Sequence, residues 1–330
     1  MIHELARTLR HAGRGPDIEP ENVHGLQFVG GTHVDRHVRM FLFENGMREP
    51  YTVVKIAVTE ASETALNHEA DHLIRIAEVK TPGVSDTIPR VLLDARVNHY
   101  RSLFLSVLPG RSISQRTAWR SVKPNVMLRD AKRVSKWLAT YHDVFPGSCY
   151  CPDGLEACLG WLADVAPSSV DALSQRLAAL SADSVFGHGD FWCGNILLDQ
   201  ANIAVVDWEC ARSHMHPAFD LLTYIFTLSP RRPSMRAGVR GYYNVLVYNI
   251  METILKSSAY THAYRSAIDR YCSARKLDTK EICMYVPVFL AQMAHRVHLA
   301  DPDAEARPGG NPWVEVLHQC MENPGPLFRT

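Results

Sequence analysis

The chain has 330 residues, 46% apolar and 21% charged, with 35 basic side chains balanced by 35 acidic ones. That length can bury a core large enough for two lobes, while the even charge excludes the basic domain expected of a nucleic-acid binder. No apolar run reaches transmembrane length, and the charged stretch from Met1 to Arg10 lacks the core of a signal peptide.

Eight cysteines, at 149, 151, 158, 193, 210, 272, 283 and 320, show no metal-site spacing. They read as small buried residues of a reducing compartment, with Cys193 and Cys210 open to electrophiles. A soluble cytoplasmic protein follows, without membrane or nucleic-acid partners and with its oligomeric state left open.

Residues 3 to 12 carry the apolar spacing of a short helix. Three β-rich runs come next, Leu26–Val29, Arg39–Phe43 and Tyr51–Val58, with Glu44-Asn45-Gly46 as a hairpin turn. They predict an antiparallel sheet. Gly30-Gly31-Thr32 lies between the first two runs, where a phosphate-holding loop would sit, but the full GxGxxG pattern is missing and a tight turn explains the glycines equally well. Lys55 alternates with apolar neighbours on the third run, either to reach nucleotide phosphates or as a solvent-facing lysine on an edge.

Thr59 and Glu60 open a helix in which Leu66, Ala70, Leu73 and Ile74 keep helical period. Glu63 and Glu69 are its candidates for pairing with Lys55. Two further strands are expected at Arg90–Asp94 and Ser102–Val107, ending at Leu108-Pro109-Gly110, which breaks the sheet. Beyond lie predicted helices near 125–145, 153–165, 169–181, 217–228, 234–256, 262–276, 279–299 and 312–322. The expected fold is α+β, with a small antiparallel β N-lobe (1–108) and a mainly helical C-lobe (109–330).

One segment interrupts the helices. His188-Gly189-Asp190-Phe191-Trp192-Cys193-Gly194-Asn195 is followed by two short apolar runs, Ile196–Leu198 and Ile203–Val206, that read as a hairpin delivering Asp207-Trp208-Glu209. Phosphoryl transfer needs oxygen ligands for a hard cation on rigid supports and one carboxylate beside the attacking hydroxyl. Asp190 fits the base, with Asn195 and Asp207 as Mg²⁺ ligands. An isolated Asp in such a position is more often a turn or cap residue, but base, Asn, hairpin and second Asp in this order are rarely coincident.

This segment resembles the motif of the aminoglycoside phosphotransferase and choline kinase family, protein-kinase-like small-molecule kinases, and the likeness extends from about residue 25 to about residue 300. It implies an ATP- and Mg²⁺-dependent transfer to the hydroxyl of a small molecule. Lys55 and Glu69 would form the phosphate-side ion pair, with Gly30 and Gly31 at the phosphates and backbone groups from Ser106 to Leu108 at the adenine. Glu209 stands where protein kinases carry a glycine, joins the implied metal ligands, and argues against a protein kinase, as does the lack of an Ala-Pro-Glu segment. The resemblance also implies that Asp220 holds the 188–195 loop and that His188 props it. Two alternatives stay open: an inactive nucleotide-binding relative and an antibiotic kinase of the aminoglycoside type. Arg231, Arg232, Arg236 and Arg240 would suit an anionic acceptor if they line its pocket, and otherwise form a solvated surface.

Overall fold

A computed structural model describes residues 1–30, 37–117, 123–147, 155–180, 183–200, 202–228, 247, 250, 256–300 and 310–323. Its contacts divide into two compact units. The first is Met1–Gly110 with Leu197–Ala211, and the second is Arg111–Ile196 with Arg212–Thr330. Beside the expected lobes, 1–108 and 109–330, the difference is that the segment carrying Asp207 and Glu209 clusters with the first unit.

In the first unit helix α1 (Ile2–His11) precedes strands β1 (Val23–Gly30), β2 (His37–Glu44) and β3 (Thr52–Ala57), then helix α2 (Glu60–Glu78) and strands β4 (Val91–Val97) and β5 (Tyr100–Ser106). The strands form one antiparallel sheet in the order β1-β2-β3-β5-β4. Side chains alternate across a strand, so Met40, Leu42, Val54 and Ile56 pack with Leu5, Leu9 and Phe104 in one core, while Arg39 and Lys55, paired in register, share the other face. A capping box between Thr59 and Ser62 starts α2. That helix buries Leu66, Glu69, Ala70, Leu73 and Ile76, which sets its one buried carboxylate among apolar neighbours.

The second unit is mainly helical: α3 (Ile113–Thr117), α4 (Pro124–Val144), α5 (Leu155–Val165), α6 (Pro167–Ala178), α7 (Ala218–Thr227), α8 (Thr261–Arg275), α9 (Thr279–Ala300) and α10 (Pro312–Glu322). Proline opens α4, α6 and α10, where its missing N–H costs nothing. Every residue of α7 from Ala218 to Phe226 is buried, as expected of a helix apolar on all sides. Strand Val185–Gly187 pairs antiparallel with Arg212–Met215 and leads into the 188–195 loop. The predicted helix near 234–256 and the Arg231 to Arg240 cluster lie outside the described residues, apart from 247, 250 and 256.

Candidate active site

A charged cluster occupies the first unit. Lys55 Nζ lies 2.5 Å from Glu69 Oε2 and 2.5 Å from Asp207 Oδ1, and 3.7 Å from Glu209 Oε2. Arg39 reaches the other Asp207 oxygen, Oδ2, at 2.8 Å, and its Nε donates to His37 Nε2 at 2.9 Å. Glu69 also accepts the backbone N–H of Trp208 at 3.2 Å, so α2 grips the segment on which Asp207 sits. The Asp207 backbone has φ 73°, a left-handed conformation that non-glycine residues adopt at a cost of about 1–3 kcal/mol and that recurs at functional sites.

Electrostatics separate these carboxyls. Burial works against the Asp207 charge, but Lys55 and Arg39 overcome it and hold the group well below the usual carboxylate range. Glu209 is pushed the other way, up to about 7, first by burial and then by Asp207 and Glu69, with Lys55 only partly compensating. Its Oε2 is buried with no hydrogen-bond partner among the described residues. Burial lowers and the three carboxylates raise the Lys55 pKa, and the carboxylates win, so the ammonium stays charged.

Carboxylate oxygens of Glu69, Asp207 and Glu209 lie within 4.8 Å of one another. Hard oxygen donors of this kind suit Mg²⁺, so the donor set fits such an ion. Glu69 is fully buried beneath Lys55 and Trp208, so Asp207 and Glu209 are the more accessible of the three.

The second unit builds the 188–195 loop. The Asp220 carboxylate accepts the backbone N–H groups of His188 at 2.7 Å and Gly189 at 2.9 Å. Gly187 permits that approach, because a Cβ there would lie 3.1 Å from Asp220 Oδ2 and 2.6 Å from the Met215 sulfur. Gly189 turns the chain at φ 77°, a region glycine enters freely. His188 is fully buried, and its Nδ1 accepts the Asp190 N–H at 3.2 Å, the geometry of a prop. Asn195 Nδ2 donates to both the carbonyl and Oδ2 of Asp190, each at 3.0 Å.

Supports for this loop come from distant helices. Beneath Asp220, His142 Nε2 stands 3.5 Å from Oδ2, and His142 Nδ1 meets the Tyr271 hydroxyl at 2.7 Å. Tyr271 donates its own hydroxyl hydrogen to the Pro217 carbonyl at 2.8 Å. On the other side Arg296 of α9 donates to the Gly189 carbonyl at 2.9 Å, with NH2 4.0 Å from Asp190 Oδ1.

Lys55, Glu69, Asp207 and Glu209 thus come together in one unit, and Asp190 and Asn195 in the other. Glu63, the rival to Glu69, pairs instead with Arg96. Gly30 ends β1 opposite His37, and Gly31 lies outside the described residues. Ser106 gives its N–H to the Arg90 carbonyl at 2.9 Å and its hydroxyl accepts the Arg90 N–H, so it has no N–H left for an adenine. Cys193 is not the reactive thiol expected from sequence: it is buried, and burial pushes it up to about 12. Arg39, His142, Tyr271 and Arg296 went unread in the sequence. Only Arg39 had a signal there, in the alternation that puts it on the Lys55 face.

The profile of the phosphotransferase enzyme family matches residues 35–252. The chain belongs to this family. No curated protein sequence matches it. Among solved structures, a thermostable mutant of aminoglycoside phosphotransferase APH(4)-Ia in ternary complex with AMP-PNP and hygromycin B is similar over 90% of this chain and 92% of its own, with TM-score 0.55 and 12% identity. A choline/ethanolamine kinase family protein from Mesorhizobium loti is similar over 98% and 95%, with TM-score 0.54 and 13% identity. A glucosamine kinase matches over 95% and 82%, with TM-score 0.50 and 16% identity. At such identities the likeness establishes the fold, which is α+β and kinase-like, and the family makes this chain a small-molecule phosphotransferase. Among the described residues no helix is long and apolar enough to cross a membrane.

Proposed function

We propose that this phosphotransferase is an ATP- and Mg²⁺-dependent kinase that phosphorylates a hydroxyl group of a small molecule. The observation carrying the proposal is the Lys55 ammonium held between Glu69 and Asp207 at 2.5 Å from each, an arrangement suited to phosphates and a metal on one face of a sheet. Lys55 would hold nucleotide phosphates, Asn195, Asp207 and Glu209 would hold Mg²⁺, and Leu108 with the Ser106 carbonyl would meet the adenine. The bound metal neutralises charge on the phosphates. Asp190, half-exposed and steadied by Asn195 and Arg296, accepts the proton of the acceptor hydroxyl as its oxygen bonds the γ-phosphorus and ADP leaves with the bridging oxygen. A structural neighbour that holds AMP-PNP and hygromycin B supports the nucleotide half of this reading. It leaves the acceptor open.

The test is a screen of sugars, amino alcohols, hydroxylated metabolites and aminoglycosides for ADP release, run beside Asp190→Asn. An acceptor-dependent signal that falls by about 10²- to 10⁴-fold in the variant is expected. Wild-type turnover in Asp190→Asn would remove Asp190 from the role of base, and wild-type protein that binds no nucleotide would sink the kinase reading.

A further inference from the structure

We infer that Arg39 is a nucleotide-phosphate-binding residue, released from Asp207 when a cation takes its place; the inference rests on the reading of this unit as the nucleotide site. Both oxygens of Asp207 are occupied, Oδ1 by Lys55 and Oδ2 by Arg39. A divalent cation on Asp207 would compete with both for these oxygens and repel their charges, which favours the departure of one. Lys55 is the poorer candidate to leave, being 5% exposed and bound a second time by Glu69. Arg39 is 32% exposed, and its long side chain can turn about a backbone fixed near the start of β2.

Once displaced, the guanidinium needs an anion. Its place in register with Lys55 keeps it on the same sheet face as the lysine, and a planar fork of five donors fits phosphate oxygens better than an ammonium does. His37 fits the same account: its Nε2 accepts from Arg39 Nε at 2.9 Å, which leaves the terminal nitrogens of Arg39 to face the ligand.

The experiment is calorimetric titration of the full chain with ADP and with adenosine, each in Mg²⁺ and in EDTA. Arg39→Gln should weaken ADP by about tenfold or more, the loss expected for a charge-assisted contact, while adenosine affinity stays within about twofold. The ADP loss should be largest in Mg²⁺ and shrink in EDTA, where Asp207 keeps Arg39, and Arg39→Lys should restore part of it. If Arg39→Gln does not fold, Arg39→Met is read in the same way. An unchanged preference for ADP over adenosine overturns the inference alone, as does a loss equal in Mg²⁺ and EDTA, or one that saturating Mg²⁺ abolishes, which would make Arg39 only a brace for Asp207. Wild-type protein that binds neither ligand overturns the nucleotide site and this inference together.

Discussion

The Asp220 carboxylate accepts the backbone N–H of His188 at 2.7 Å, inside a core where both residues are buried. One helix, α7, thereby holds the turn on which Asp190 is displayed, with a second bond to Gly189 at 2.9 Å. Charge-assisted bonds of this kind contribute about 1.5–3 kcal/mol each. Replacing Asp220 by Asn keeps the shape but swaps one acceptor oxygen for an amide that also donates. We expect Asp220→Asn to lose about 2–4 kcal/mol in urea denaturation and to lower kcat more than it raises the KM for nucleotide. An Asp220→Asn protein as stable as wild type would show that the two backbone bonds contribute little.

A double-mutant cycle tests the cluster in the first unit. Lys55→Met strands Glu69 and Asp207 as buried carboxylates, and Glu69→Gln removes one anchor of the Lys55 ammonium while leaving an acceptor for the Trp208 N–H. Because both changes act on one salt-bridged unit, their effects on ADP affinity should fail to add, with a coupling of about 1 kcal/mol or more. Additive losses would separate Glu69 from the function of Lys55.

Stability should fall on both sides of neutrality. Burial lowers the pKa of His142 and His216 in the folded state, so below the ordinary histidine value of about 6.5 the unfolded chain binds more protons and folding weakens. Asp220 extends the acid limb: burial opposes its charge, but His142 and the His188 amide hold it below the usual range, and its contribution is lost as pH falls below about 4. On the alkaline side burial pushes Cys158, Cys193 and Cys320 up to about 12. Thiols of the unfolded chain ionise near 8.5, so stability should drop above that pH. Thermal melts from pH 4 to pH 10 should show a plateau between about 7 and 8, and a Tm still rising from pH 8 to pH 10 would contradict the buried thiols.

Much of this molecule was legible because its signals are local. Alternation and turn residues placed β1 to β5, and apolar period placed α4, α7, α8 and α9. The motif order singled out Asp190, Asn195 and Asp207 as candidates before any geometry. What stayed hidden depends on chain segments far apart in sequence: Arg39 and Asp207 are 168 residues apart, and Arg296 and Gly189 are 107 apart. His142 ends an ordinary amphipathic helix, and nothing in its neighbours announces that the helix terminates beneath Asp220. Ser106 shows the converse: the sequence placed it near the end of a strand and offered its backbone groups to a nucleotide, but a strand neighbour already holds its N–H.

Arg296 supplies the last prediction. Its NH1 donates to the Gly189 carbonyl, and its NH2 stands 4.0 Å from Asp190 Oδ1. The guanidinium therefore steadies the loop and sets a positive charge beside the proposed base. Because the side chain is 39% exposed, water screens the pair and the charge term is modest; the bond to the carbonyl is the larger part. Arg296→Gln removes the charge and shortens the reach, so it should lower kcat by about three- to tenfold, well short of the loss expected for Asp190→Asn. Its KM for nucleotide should hold, because every residue proposed to bind the phosphates lies in the other unit. Arg296→Lys should recover little, since an ammonium on a flexible stem cannot serve the carbonyl and face the carboxylate with one planar fork. Full activity in Arg296→Gln would mean that α7 alone sets the loop, and a rise in nucleotide KM with kcat unchanged would move Arg296 to the nucleotide side of the reaction.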